Sequence, residues 1–162
     1  MKAILHVDNK WGIGRDNKLM FRLPADMKFF RETTTGGVVV MGGNTFRSFP
    51  NGALKNRVNV VLTSMEGDGS FLAVHSMDEL KKAISSYDPD HVFLIGGASL
   101  YRELFPLCSE ILVTKVDADG GADAFVENLD ESSRFRLTEE SEPIETNGYT
   151  IRFCKYVNPD FL

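Results

Sequence analysis

The chain has 162 residues, 43% hydrophobic and 25% charged, the size and composition of one globular domain that buries its own core without disulfide or metal staples. Its net charge of −5, with acids and bases interleaved, argues against broad nucleic-acid binding, which needs a basic face. Two distant cysteines, Cys108 and Cys154, and three scattered histidines lack metal-ligand spacing. They read as free thiols in a reducing compartment, with no metal site.

Ala3-Ile4-Leu5-His6-Val7 is a short apolar run, read as a buried strand. It is too short for a signal peptide, and no segment approaches a membrane span, so the expected address is cytoplasmic. Asn9 to Arg22 reads as a long loop carrying the turn formers Gly12, Gly14, Asp16 and Asn17, and long ordered loops are often lids. Pro24 suits the first turn of a helix that Gly36-Gly37 ends. Val38 to Met41 is a second buried strand, followed by Gly42-Gly43 and a short helix over Thr45 to Phe49. Val58 to Thr63 and Phe71 to Val74 are the third and fourth strands. Ser76 with Glu79 forms a capping box for a helix through Ser85. His91 to Ile95 is the fifth strand, turned by Gly96-Gly97 into a helix from Ala98 to Phe105; Ile111 to Val116 is the sixth. Arg134–Glu139 and Tyr149–Tyr156 read as antiparallel strands closing one edge, the second after the turn signal Asn147-Gly148. Apolar strands alternating with helices predict an α/β domain over residues 1–162. Its three layers have a mostly parallel central sheet, antiparallel C-terminal edge strands and helices on both faces.

Three patterns carry chemistry. Strand–Gly-Gly–helix occurs twice, at Met41-Gly42-Gly43-Asn44-Thr45 and Ile95-Gly96-Gly97-Ala98-Ser99. Each alone is a tight turn; together at the carboxyl ends of one sheet they can cradle a pyrophosphate on backbone amides, with Thr45 and Ser99 as extra donors. Asp26, in Leu23-Pro24-Ala25-Asp26-Met27, is either a solvated helix-dipole partner or a carboxylate at an apolar pocket mouth, gripping an amidine-like edge through two hydrogen bonds. Arg57, ahead of a strand, is either a surface residue or a bidentate clamp for a carboxylate.

In this order and at these intervals, the residues resemble the dihydrofolate reductase family along nearly the whole chain. The match is carried by Val7-Asp8, Trp11-Gly12-Ile13-Gly14, Asp16-Asn17-Lys18, Leu23-Pro24-Ala25-Asp26, Phe30, Val40-Met41-Gly42, Asn44-Thr45-Phe46, Arg57 through Leu62, Ile95-Gly96-Gly97, Tyr101 and Thr114. The resemblance implies NADPH-driven reduction of dihydrofolate to tetrahydrofolate by a monomer whose partners are this substrate and antifolate inhibitors, with neither nucleic acid nor membrane. Asp26 is then the acid that holds the pterin and assists protonation of N5, supported by Thr114, partly through water, with Phe21 and Leu19 in the catalytic group. Leu5, His6, Met27 and Phe30 would pack against the pterin and aminobenzoyl rings, Phe49 and Leu54 would line the aminobenzoyl slot, and Arg57 would pair with the glutamate carboxylate. Ile95 and Tyr101 would serve both substrate and nicotinamide. Backbone at His6 and Ile13, with Gly14, Asn17 and Leu19 of the lid, would hold the nicotinamide end. Gly42, Gly43, Asn44 and Thr45, and then Gly96, Gly97, Ala98, Ser99 and Leu100, would take the phosphates. Leu62, Thr63 and Ser64 would take the adenosine end. Asp123 resembles a distal acid that latches the lid.

Five positions depart from the family pattern. The lid carries Leu19-Met20-Phe21 where Leu-Pro-Trp is usual, so an indole N–H is lost. His6 replaces a small residue beside the pterin, either as a packed histidine or as an altered pocket that weakens diaminopyrimidine antifolates. Gly43 stands where an arginine commonly meets the cofactor's 2′-phosphate, which leaves NADH open as a second donor; Thr63 and Ser64 remain as phosphate donors, with His75 near the adenosine end. Ala122 replaces a glycine. The rival readings are a related riboflavin-pathway reductase, a non-catalytic binding protein of this fold and a flavodoxin-like carrier.

Overall fold

In the computed structural model, which describes residues 1–161, β1 (Lys2–Val7) is followed by β2 (Gly12–Gly14), α1 (Pro24–Thr34), β3 (Val38–Gly42) and α2 (Gly43–Arg47). Next come β4 (Val58–Leu62), β5 (Leu72–Val74), α3 (Met77–Ile84), β6 (Val92–Gly96) and α4 (Ala98–Leu104). The chain continues through β7 (Glu110–Val116), β8 (Ala124–Phe125), β9 (Arg136–Glu140), β10 (Ile144–Thr146) and β11 (Tyr149–Val157). The main sheet has the order β10-β11-β7-β1-β6-β3-β4-β5, with β9 also paired to β11. From β7 to β5 every pair is parallel; β11 runs antiparallel to its neighbours.

Unbroken runs such as Val38-Val39-Val40-Met41 are covered on both faces, and none of these four is more than 3% exposed. Helix layers on both sides of a parallel sheet impose that pattern. Ala3, Val38, Val40 and Val60 pack on one side with Leu80 of α3 and Leu100 and Leu104 of α4. Val39, Met41 and Val61 face the other way, toward Phe46, Phe49, Leu54, Phe71 and Ile95. Alternate residues of each strand thus serve opposite layers.

Local differences from the sequence reading have local causes. The segment Asn9–Arg22 is not all loop: β2 lies within it and pairs with β8, over 100 residues away, a partner that no local pattern shows. Helix α2 starts at Gly43, two residues early, and α4 stops at Leu104, where a 3-10 turn takes over at Phe105. Strand β10 is a third edge segment, too short for a periodicity. It meets β11 across Asn147-Gly148, both residues at positive φ (50° and 81°), as a two-residue hairpin demands. Ser76 does cap α3, its Oγ accepting from the Glu79 N–H at 3.1 Å; the Glu79 carboxylate reaches back to the His75 N–H instead of that of Ser76.

Cys108 and Cys154 are both free and buried. Among the described residues, no helix is long and apolar enough to cross a membrane, and no group of three or more His, Cys, Asp or Glu is placed to hold a metal ion.

Candidate active site

Helix α1 begins on Pro24 with no side-chain cap at Leu23. Its entry is tied down by the β10–β11 hairpin instead. Ala25 N–H donates to Thr146 Oγ1 at 3.2 Å, and Asn147 Nδ2 donates to the Arg22 carbonyl at 2.9 Å. Leu23 is buried with Phe21, Val116 and Ile151, which fixes the first turn over β1 and β7. There the sheet register puts His6 directly opposite Thr114, so both side chains leave the same face and meet Asp26. Thr114 Oγ1 donates to Asp26 Oδ1 at 2.6 Å, and His6 Nδ1 lies 3.2 Å from Oδ2. An ionised carboxylate offers about four acceptor positions. Two are used, which leaves one on each oxygen of a side chain still 16% exposed. His6 Nε2 is buried and has no hydrogen-bond partner among the described residues.

Further along α1, the Arg57 guanidinium sits 5.9 Å over the Phe30 ring. Its Nε donates to the Lys55 carbonyl at 2.9 Å and its Nη1 to Thr34 Oγ1 at 3.1 Å. It has no carboxylate partner among the described residues. Burial and the neighbouring Arg31 both push its pKa down, a cost to the charged form that a nearby anion would offset. Phe49, Leu54 and Ile95 lie together in the apolar cluster on this face. Leu5 packs instead against the opposite core, and Met27 is 53% exposed on the outer side of its turn.

The carboxyl ends of β3 and β6 lie side by side and form a glycine-lined cradle. Gly96 has φ +141°, and a Cβ there would lie 3.1 Å from Thr45 Oγ1; at Gly97 the distance is 3.5 Å. The two glycines therefore leave open a space that any other residue would fill, next to a Thr45 hydroxyl that forms no hydrogen bond with the described residues. This donor set fits a pyrophosphate. Leu100 lies behind Gly42, its Cδ1 3.8 Å from that residue's absent Cβ. Tyr101 is buried, and its hydroxyl donates to the Ile4 carbonyl at 3.0 Å. It backs the cradle and ties α4 to β1. Ala98 is half-buried and Ser99 exposed at the start of α4; Asn44 is exposed on α2. At the end of β4, Leu62, Thr63 and Ser64 line an open depression of about 590 Å³ together with Glu66, His75, Ser76 and Met77.

Residues 9–22, the segment expected to be a lid, run between these regions. Phe21 is buried, edge-on to Tyr149 at 4.9 Å and 6.1 Å from the His6 ring. Leu19 is 71% exposed. Asp16 and Asn17 turn the tip at positive φ, and Ile13 and Gly14 are half-buried on β2. Asp123 Oδ2 accepts from the Asp16 N–H, and the Asp123 N–H donates to the Gly14 carbonyl, both at 3.0 Å. At the base, buried Asp8 accepts from the N–H groups of Lys10, Gly12 and Gly120.

A family model described as dihydrofolate reductase matches residues 1–158. The chain belongs to the dihydrofolate reductase family. The dihydrofolate reductase of Bacillus subtilis (strain 168) is 34% identical over 146 residues, 89% of this chain and 86% of that one. That of Enterococcus faecium is 36% identical over 149 residues, 89% and 88% of the two chains. A solved structure, the Enterococcus faecalis dihydrofolate reductase complexed with NADP(H) and RAB-propyl, superposes with a TM-score of 0.85 at 30% identity and covers 98% of this chain and 96% of that one.

Against the dihydrofolate reductase pattern, two of the departures acquire a physical account. Ala122 is matched by Gly12: a Cβ at Gly12 would fall 2.3 Å from the Ala122 methyl, so the methyl on the distal loop fills the room that glycine leaves on the lid. His6 is packed and bonded to the acid itself, a contact that required the β1–β7 register to foresee. Thr114 reaches Asp26 directly. Sequence reasoning passed over Arg47, whose Nη1 covers Gly43; its only signal was a spacing of four residues, one helical turn, from the missing arginine.

Proposed function

We propose that this dihydrofolate reductase transfers a hydride from NADPH to 7,8-dihydrofolate to give 5,6,7,8-tetrahydrofolate, with Asp26 as the acid that holds the pterin and assists protonation of N5. The observation that carries this reading is the free acceptor position on each Asp26 oxygen, with Thr114 and His6 engaging the other sides. A pterin's 2-amino group and N3–H form an edge with two parallel donors, the complement of such a carboxylate. When bound, the reduced nicotinamide supplies the hydride; the net change is that hydride on C6 and one proton on N5. The chain's own part is positioning and exclusion of water. Arg57, unpaired and beside Phe30, would take the carboxylate of the glutamate tail. Phe30, Phe49, Leu54 and Ile95 would enclose the aminobenzoyl linker. Gly42, Thr45, Gly96 and Gly97 would receive the pyrophosphate. The main sheet, whose strands are drawn from Lys2 through to Val157, supports residues 1–162 working as one reductase domain.

The test is loss of reduced-nicotinamide absorbance on mixing the protein, NADPH and dihydrofolate. Turnover that collapses in Asp26→Asn is the expected result. Turnover unchanged in that variant would remove the role given to the acid.

A further inference from the structure

Gly43 is not required by its backbone. Its φ is not in the left-handed region, unlike those of Gly36, Gly52 or Gly96, so any residue could adopt the conformation. What the structure reserves there is space. A Cβ at position 43 would lie 3.0 Å from Arg47 Nη1 and 3.0 Å from Thr63 Oγ1. Arg47 folds back along α2 over Gly43, held by Asn44 Oδ1 on one nitrogen and within 3.9 Å of Met65 Sδ on the other. No carboxylate among the described residues pairs with it. The strand register sets Gly42 opposite Leu62, which brings Gly43 beside Thr63 and Arg47 beside Met65, next to the open depression lined by Thr63, Ser64 and His75. His75 is fixed there by a 2.7 Å hydrogen bond from Nδ1 to the Thr63 carbonyl.

We propose that Arg47 is the residue that selects a 2′-phosphorylated adenosine, its guanidinium reaching over Gly43 to bind that phosphate with the hydroxyls of Thr63 and Ser64. The chemistry is that of a phosphomonoester site: one unpaired planar cation and two hydroxyl donors around an open space. The site lies next to the glycine cradle, so a nucleotide with its pyrophosphate in the cradle places its ribose here. Glu66 lines the same depression and opposes an anion, which makes the Arg47 charge the deciding one. Glycine at 43 and arginine at 47 form one device: the first clears the path that the second crosses. The inference rests on the NADPH reading and names the residue responsible for it.

The experiment compares adenosine 2′,5′-bisphosphate with adenosine 5′-monophosphate, ligands that differ only in the 2′-phosphate, by titration calorimetry on the full chain. A charge-assisted contact supports about a tenfold to hundredfold preference. Arg47→Gln is expected to weaken the bisphosphate by that factor and to shift the monophosphate by less than about twofold, with a shallower salt dependence for the bisphosphate. Gly43→Ala, whose methyl displaces the guanidinium, should weaken the bisphosphate alone in the same way. Arg47→Lys should recover part of the loss, and melting curves of all three establish that they are folded. Bisphosphate affinity unchanged in Arg47→Gln overturns the assignment. No folate enters the measurement, so failure of the Asp26 reading would show separately, as absent turnover.

Discussion

His6 and Thr114 each lend one hydrogen bond to Asp26, yet their removal should have different consequences for stability. A hydrogen bond to an ionised group contributes about 1.5–3 kcal/mol net. Thr114 is 1% exposed, and Thr114→Val deletes its bond while keeping the shape. Because the Asp26 side chain still touches solvent, the lower end applies, about 1.5 kcal/mol, or roughly 3–6 °C in Tm for a chain of this size. His6→Leu deletes the second bond, but it also removes a buried nitrogen with no partner among the described residues, whose desolvation costs about 1–3 kcal/mol, and it buries apolar surface in exchange. The two effects offset, and His6→Leu should stay within about 1 kcal/mol of the parent. Urea and thermal unfolding of the ligand-free protein, at mildly alkaline pH where the unfolded histidine is neutral, measure both. If His6→Leu loses as much as Thr114→Val, then Nε2 is satisfied in the native state and the reasoning fails.

Asp26→Asn should lower turnover at neutral pH by about 10²–10⁴-fold while NADPH affinity, measured by fluorescence quenching, moves far less. Arg57→Gln should raise KM for dihydrofolate about tenfold or more; a reducible pteridine without the glutamate tail should show no such rise, and an equal rise for both would count against the clamp. Burial pushes the Cys108 thiol up to about 12 and the Cys154 thiol up to about 11, and burial likewise raises Tyr101 and Tyr156. Each proton is held more tightly in the folded state. Their contribution to stability is therefore complete below the ordinary thiol value of 9.0 and is lost as pH rises through the folded values. Urea midpoints should be flat up to that point and fall above it; midpoints that rise over that range would contradict the burial argument.

The sheet's parallel core was legible because strands buried on both faces must be continuously apolar, as Val38–Met41 and Val92–Ile95 are. The hairpin at Asn147-Gly148 was legible because its turn needs positive φ twice. What stayed hidden was register. Nothing local says that β2 pairs with β8, or that His6 stands opposite Thr114 and so reaches Asp26. The same holds for Arg47: composition shows an arginine on a short helix, and only the space above Gly43 shows where its guanidinium goes. Ala122 carried half of its explanation in the sequence, as a methyl where glycine is usual; the other half was Gly12, 110 positions earlier.

The seating of α1 on the β10–β11 hairpin has a consequence for the order in which the molecule is made. β1 lies between β6 and β7, and β6 begins at Val92, so the strand that ends at Val7 has no lateral partner in the sheet until β6 has been made. Asp26 waits longer: Thr114 comes first, and Thr146 and Asn147, which hold the start of its helix, come later still. At about 5–20 residues per second, the roughly 120 intervening residues take some 6–24 s. The acid precedes most of the sheet in the chain and is one of the last residues to be set in place, so a nascent chain stalled before the hairpin carries only the six parallel strands β7-β1-β6-β3-β4-β5 of the main sheet and an unseated acid.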